Sequence, residues 1–164
     1  MELLENISQA LIDKGIEKQE YAGETTLLVP EAILFETLVQ LKENFGFDYL
    51  VDVVATDHFR DVQRFELHYN LYNLSAKKRL RVKTLLASES KPEVESVVPI
   101  WPAANWYERE QYDMMGIHFR NHPDLRRLYM PEDFEYYPMR KEFPLIGIPG
   151  SIQMPEKDPP KGYK

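Results

Sequence analysis

The stretch FELHYNLYNLSAKKRLRVKTLL, from Phe65 to Leu86, decides the fold. Phe65, Leu67, Tyr69 and Leu71 alternate with Glu66, His68 and Asn70. After a polar turn over Asn73–Lys78, Leu80, Val82, Thr84 and Leu86 alternate with Arg81 and Lys83. Side chains point to opposite faces along a strand, so a period of two means one covered face and one wet face. Two such runs joined by a short polar turn predict an antiparallel hairpin. Just upstream, Phe47, Tyr49, Val51, Val53 and Ala55 alternate as well. Leu50 and Val54 occupy the other parity, which predicts an inner strand with both faces partly covered.

Working outward, an apolar run over Thr26–Val29 reads as a strand. Pro30 then opens a helical pattern of Leu34, Leu38, Leu41 and Phe45 that Gly46 closes. Leu4, Ile7 and Leu11 form one stripe of a short amphipathic helix ending near Gly15, a core face by its period. Past residue 91 the text changes, because 11 of the 12 prolines lie from Pro92 onward. Proline removes a backbone donor and fixes φ, so short elements separated by extended or turning backbone are expected there. A helix over Ala103–Met115 still fits, and Ile117-His118-Phe119 alternates like a strand. The expected architecture is α+β: two layers, a mixed β-sheet covered by helices, with an extended Pro-rich C-terminal segment. Residues 1–145 form the domain. The tail from 146 to 164 has few core-sized side chains, is not expected to fold alone, and is expected to lie along a partner.

Composition narrows the function classes. At 164 residues the chain is long enough for one domain with a real core, and no apolar run approaches the ~20 residues that cross a bilayer. The acidic start Met-Glu-Leu-Leu-Glu-Asn lacks the marks of an export signal, so a cytoplasmic location is the expectation. There is no cysteine, which excludes disulfides, thiolate-held iron–sulfur clusters and zinc ribbons within these residues. A formal charge of -7 opposes nucleic-acid binding.

Ten of the 20 aromatics fall between Trp101 and Phe143, interleaved with Glu108, Arg109, Asp113, Arg126, Arg127, Arg140 and Lys141. Aromatics and arginines in a proline-rich frame supply the rigid contacts and forked donors enriched at interfaces. A loop packed on its own core is the other reading of the same composition. His118 and His122, four apart, would share a helix face and could ligate a metal with Glu108, Glu110 or Asp113. Gly116 and Pro123 flank the pair and argue against a helix, so His122 is expected as a hydrogen-bonded loop anchor. A small metal-dependent hydrolase built on His118 and His122 is the alternative from another class. Glu108, Arg109 and Asp113 are candidates for acid–base work. The plainer reading is an i, i+4 ion pair of Arg109 with Asp113, and the preferred one puts the three at the join between domain and partner. The basic pairs Arg126-Arg127 and Arg140-Lys141 have the charge to attract anionic lipid, but Glu132, Asp133 and Glu135 offset them. Salt links to acids of a partner, with one guanidinium stacked on an aromatic, are expected instead.

The run Glu108-Arg109-Glu110, then Tyr112-Asp113-Met114-Met115-Gly116-Ile117, then His122-Pro123-Asp124-Leu125-Arg126-Arg127 resembles, in order and spacing, the signature of the thirty-kilodalton-type subunit of proton-pumping NADH:quinone oxidoreductase (respiratory complex I). The resemblance continues through Met130-Pro131-Glu132-Asp133 and Pro138-Met139-Arg140-Lys141-Glu142-Phe143, and upstream through Phe47-Asp48-Tyr49-Leu50-Val51-Asp52 to Asp57. It covers most of residues 25 to 145. Phe134 and Tyr136 stand where that family usually has Trp and then Gly, Met115 where an aromatic is common, and Glu142 where Asp is usual, so the turn before Pro138 is expected to be built differently. The resemblance implies a structural chain of the peripheral arm's quinone module, on the cytoplasmic face of the cell membrane and bound to it only through the complex. Its implied neighbours are the large quinone-site subunit and the subunit that holds the terminal iron–sulfur cluster. NADH, FMN, the iron–sulfur clusters and quinone would then belong to other subunits, with no cofactor in this chain. Glu108, Arg109, Asp113, His122, Arg126, Arg127, Arg140 and Lys141 are the expected partner-interface residues. An accessory chain of a related membrane-bound hydrogenase or ferredoxin-fed complex is the alternative that keeps the fold.

Overall fold

The computed structural model describes residues 5, 7, 15–59, 61 and 63–144. The tail from 146 lies outside them. So does most of the expected leading helix, although Glu5 and Ile7 are helical and Ile7 is fully buried. Strands β1 (Glu17–Tyr21), β2 (Glu24–Leu28), β3 (Tyr49–Asp57), β4 (Phe65–Asn73) and β5 (Lys78–Leu85) make one sheet in the order β1-β2-β5-β4-β3. The pair β2/β5 is parallel and the other pairs are antiparallel, so the sheet is mixed, as expected. Helix α1 (Leu34–Glu43) follows a 3-10 turn over Glu31–Ile33, and α2 spans Ala104–Met115. Two short strands, β6 (Glu93–Glu95) and β7 (His118–Arg120), pair in parallel and bracket α2.

The predicted hairpin is β4–β5, with Asn73 paired to Lys78 across the turn. Its inward residues Phe65, Leu67, Tyr69, Leu71, Leu80 and Val82 are each 2% exposed or less. They share one core with Leu34, Leu38 and Leu41 of α1 and with Ala104, Met114 and Met115 of α2. The breaker at the end of α1 is Gly46 at φ +69, where a Cβ would stand 3.1 Å from the Asn73 amide. Trp101 closes the core beside it and donates its indole N–H to the carbonyl of Phe47 at 3.2 Å.

Two features correct the sequence reading. Strand β3 is an edge strand, not an inner one. The register against β4 shifts between Leu50 and Asp52, so the strand changes phase at that point. Leu50, Val53 and Ala55 then face the core while Tyr49, Val51 and Val54 stay exposed. A bulge of this kind puts one extra residue opposite a single partner, and here it mimics the sequence pattern of two-sided burial. Strand β1 is the second, an element without counterpart in the sequence reading. All five of its residues are exposed, so no apolar period marks it, and a tight turn at Ala22 (φ 50) and Gly23 (φ 81) folds it back on β2.

The edge that β3 leaves open is partly closed by α2, whose Gln111 Oε1 accepts the Ala55 N–H at 3.0 Å within the buried interior. Replacing Gln111 by Leu keeps the shape and strands that donor. An orphaned buried N–H costs about 1–3 kcal/mol, so the midpoint of urea unfolding should drop while its slope stays unchanged.

Candidate functional site

Helix α2 carries an unusual load for a core helix, since Glu108, Arg109, Gln111 and Asp113 are all buried on it. Each looks for partners outside the helix, and most of the residues that answer come from the proline-rich segment beyond it. Asp113 is fully buried. Its Oδ1 accepts from Arg127 Nη1 at 2.8 Å, and its Oδ2 accepts the backbone N–H groups of Leu128, Tyr129 and Met130 at 3.0, 2.6 and 3.0 Å. Burial alone would raise this carboxyl's pKa, but the three N–H groups and the guanidinium outweigh it and hold the pKa below the ordinary value. Asp113 therefore stays charged and ties down residues 127–130.

Arg109 does not form the i, i+4 pair with Asp113. Its Nε and Nη2 donate to the carbonyls of Arg126 and Arg127 at 3.1 and 3.4 Å, and its guanidinium lies 5.0 Å from the Trp106 ring centre. The physical reason is that Asp113 gains four donors from the segment, while Arg109 finds two otherwise unpaired carbonyls.

The C-terminal end of α2 is completed by the same segment. A helix leaves its last carbonyls unpaired and slightly negative. Here Met139 N–H donates to the Met114 carbonyl at 3.1 Å, and Arg140 Nε to the Met115 carbonyl at 2.7 Å. Arg140 also stacks over Tyr137 (4.5 Å) and Phe65 (5.1 Å), and Arg127 over Tyr137 (5.3 Å), which gives the stacked guanidinium that the sequence leads one to expect. Arg127 finds its acid in this chain's own Asp113. Gly116, at φ +72, lets Tyr137 approach, since a Cβ there would sit 2.5 Å from the ring. The turn before Pro138 uses no residue at positive φ, consistent with Tyr136 in place of the usual Gly.

Further along, the Lys141 N–H donates to Asp57 Oδ2 at 2.8 Å. Arg64 grips Asp57 with two bonds of 2.7 Å and also reaches Glu142. Burial pushes the Asp57 pKa up, but Arg64 and the N–H groups of Lys141 and Phe59 prevail and bring it to about 2. Neither Asp57 nor Arg64 stands out as a site residue in the sequence; the only signal is the inclusion of Asp57 in the family resemblance.

On the other flank, Glu108 is fully buried and accepts from Ser96 Oγ (2.6 Å) and Val97 N–H (2.7 Å). Burial drives its pKa up to about 7 despite both bonds. His122 is the expected loop anchor. Its Nδ1 accepts the Asp124 N–H at 3.0 Å, so the proton sits on Nε2, which donates to the Asn105 carbonyl at 3.2 Å. Burial lowers its pKa. The 3.9 Å approach of His122 to Glu108 is therefore a contact of two groups that both resist charging, not an ion pair. Because both His122 nitrogens are engaged and His118 is exposed on β7, the two do not form a metal pair; no cluster of three potential ligands occurs among the described residues.

Of the eight sequence-predicted residues, Arg109, Asp113, Arg127 and Arg140 converge on α2 and the segment it holds, and Glu108 and His122 lie at its opposite flank. Arg126 is exposed and paired with Asp124 at 2.6 Å, while Lys141 is held through its backbone and is itself exposed. What the clamp presents to solvent is Trp106, Tyr129, Tyr136 and Met139, from 46% to 64% exposed. Ion pairs to fully buried carboxylates and helix-end bonds thus give a stretch without regular structure one fixed outer surface.

Residues 27–148 match the family described as "Respiratory-chain NADH dehydrogenase, 30 Kd subunit". The NADH-quinone oxidoreductase C subunit of Geotalea uraniireducens is 40% identical over 147 residues, 90% of this chain and 85% of the relative. The solved trypsin-resistant fragment (1-134) of Nqo5 superposes with a TM-score of 0.69 at 29% identity, over 75% of this chain and 99% of the fragment. A chain of the membrane-bound sulfane sulfur reductase, an archaeal respiratory membrane complex, shares the fold with a TM-score of 0.76 at 24% identity over 98% of both chains.

Asp113→Asn should leave the half-buried Arg127 without its counter-charge, a loss of up to about 3–5 kcal/mol, the cost of breaking a fully buried pair. Trypsin should then cut after Arg126 or Arg127 far faster than in the parent chain. Glu108 holds its proton up to about pH 7 when folded, against 4.5 for an ordinary glutamate. Between those values the unfolded chain has lost a proton that the folded chain keeps, so this group's stabilisation drains away as pH rises and is gone above 7. Relative to the parent, Glu108→Gln should gain stability across that window, and a melting series in pH reads it directly.

Proposed function

The chain belongs to the respiratory-chain NADH dehydrogenase 30 Kd subunit family, and on that premise we propose that it is a cofactor-free structural subunit of the peripheral arm of a proton-pumping NADH:quinone oxidoreductase. The clamp on Asp113 carries this reading: a buried carboxylate commits four hydrogen bonds to holding a strand-free segment whose Tyr129 and Tyr136 rings point outward. Such a surface has large, rigid apolar groups with a polar rim of Arg126 and Lys141, which is how protein interfaces are composed. Its partners in this reading are the quinone-site subunit and the subunit of the terminal iron–sulfur cluster. Electrons pass from NADH through FMN and iron–sulfur clusters to quinone in those other chains. With no cysteine to hold a cluster, this chain contributes position, not redox chemistry. No described helix is long and apolar enough to cross a membrane, and the proposed place is peripheral, on the cytoplasmic face, attached through the complex.

The test separates docking from folding. Arg127 is committed to Asp113, so reversing it would damage the fold; the exposed Arg126 is the charge to reverse. A chain with Tyr129→Ser, Met139→Ser and Arg126→Glu should melt within about 1 kcal/mol of the parent, as surface changes do, yet fail to co-purify with the other subunits. NADH:quinone activity of membranes should fall in proportion to the lost complex, with turnover per assembled complex unchanged. Normal assembly of this variant would refute the proposal, and the identity of the chains accompanying the parent distinguishes this complex from a hydrogenase or a ferredoxin-fed relative.

A further inference from the structure

The arginines that the sequence offers to a partner's acids are engaged within the chain. Arg127 serves Asp113, Arg140 caps the end of α2, and Arg126 pairs with Asp124 beside it. What the same segment leaves outward is negative. Between Pro131 and Tyr136 the charged residues are Glu132, Asp133 and Glu135, all three exposed. Among the described residues, Asp133 and Glu135 find no hydrogen bond or ion pair, and Glu132 feels only the charge of Arg126, whose two bonds go to Asp124. Against these carboxylates the segment sets the side chain of the exposed Lys141.

Three rings accompany the carboxylates. Phe134, Tyr136 and Phe143 have centres 5.7 to 6.3 Å apart and planes inclined to one another by 53° to 67°. Tyr136 is exposed, Phe134 and Phe143 are half-buried, and none of the three belongs to the hydrophobic core. At those angles no two rings stack face to face, so their electron-rich faces are not paired off against each other. Phe134 already attracts one cation, with the Arg127 guanidinium 5.9 Å from its centre. No cation among the described residues lies over Tyr136 or Phe143.

We propose that this face receives a lysine or arginine side chain from a basic stretch of a neighbouring polypeptide, its charge toward Asp133 and Glu135 and its stem or guanidinium plane against Tyr136 and Phe143. The polarity is the reverse of the one the sequence suggests. Two independent attractions select the same occupant. A ring face draws a cation through its quadrupole, most strongly where water is excluded. Carboxylates without partners draw it through charge and disfavour the alternatives, since an apolar surface would bury them unpaired and an anionic headgroup would be repelled. The stretch is also held at both ends, by Met130 N–H on Asp113 and by Met139 and Lys141 N–H on Met114 and Asp57, which lowers the ordering cost of binding. The inference rests on the reading of the C-terminal face as a docking surface and names the chemistry of what docks there.

The test replaces the parent chain in the complex by a variant carrying Asp133→Asn and Glu135→Gln, which keeps shape and removes charge. Its affinity for the rest of the complex, read from its content relative to the other chains over a series of salt washes, should fall about tenfold. Its remaining attachment should depend less on salt than the parent's. Tyr136→Leu, which keeps apolar bulk without a ring, should loosen the chain as well, whereas Tyr136→Phe should not. Each variant alone should melt as the parent does, because the altered groups are exposed. Attachment of the neutral variant as tight as the parent's, or tighter, overturns the inference in favour of an apolar partner. Equal attachment of Tyr136→Leu and Tyr136→Phe also overturns it. If the variant altered at Tyr129, Met139 and Arg126 fails to assemble while these attach normally, the docking reading stands without its cationic occupant; if that variant assembles normally too, both readings fall.

Discussion

Asp113 holds a negative charge where solvent does not reach, and the C-terminal third of the described chain is arranged around that fact. A carboxylate in such a place is tolerable only if donors surround it. Three consecutive N–H groups and one guanidinium do so, and all four come from residues 127–130. Prolines prevent this segment from satisfying its own backbone in a helix or sheet, so it takes its order from side chains elsewhere. Asp57, Arg109 and the carbonyls ending α2 supply the other fixed points. Loop and helix stabilise each other: the segment receives partners it cannot make alone, and the helix has its open end closed.

The same logic explains which parts could be read from the amino-acid order. The β4–β5 hairpin is legible because its core face repeats every second residue, and α1 because Pro30 and Gly46 frame an apolar stripe. β3 misleads, because a bulge at Val51 shifts the phase by one and imitates a strand covered on both sides. β1 is invisible, since a fully exposed strand has no apolar rhythm to show. At the site, residue types and the order of motifs point to Asp113, Arg127, Arg140 and His122, and the expected role of His122 as an anchor holds. Their pairing is not legible. Arg109 and Asp113 at helical spacing invite a local ion pair, whereas the actual partners lie 14 to 18 residues away in a segment without period. Nothing local in the sequence encodes contacts at that distance. The resemblance to a known family identifies the neighbourhood but not which charges are buried and which face outward.

Buried and exposed charge are divided within one short segment. The fold itself recurs at low identity in a chain of an archaeal sulfane sulfur reductase complex. Inner and outer residues of one short segment then answer to different constraints. Arg127 is fixed by the buried Asp113, while Arg126, one position earlier, is exposed and pairs with Asp124 at the surface.

The order of synthesis gives the clamp a further consequence. A ribosome delivers the five-stranded sheet and α2 before it delivers residues 127–142, so a nascent chain already has most of its core while the acidic end of α2 still lacks partners. A stalled or clipped product would therefore keep a sheet yet expose Asp113 and the unpaired carbonyls of the helix, a state that proteases and chaperones can distinguish from the finished chain. Completion of the fold thus waits on residues 127–142, which bring the partners of Asp113 and of the helix end.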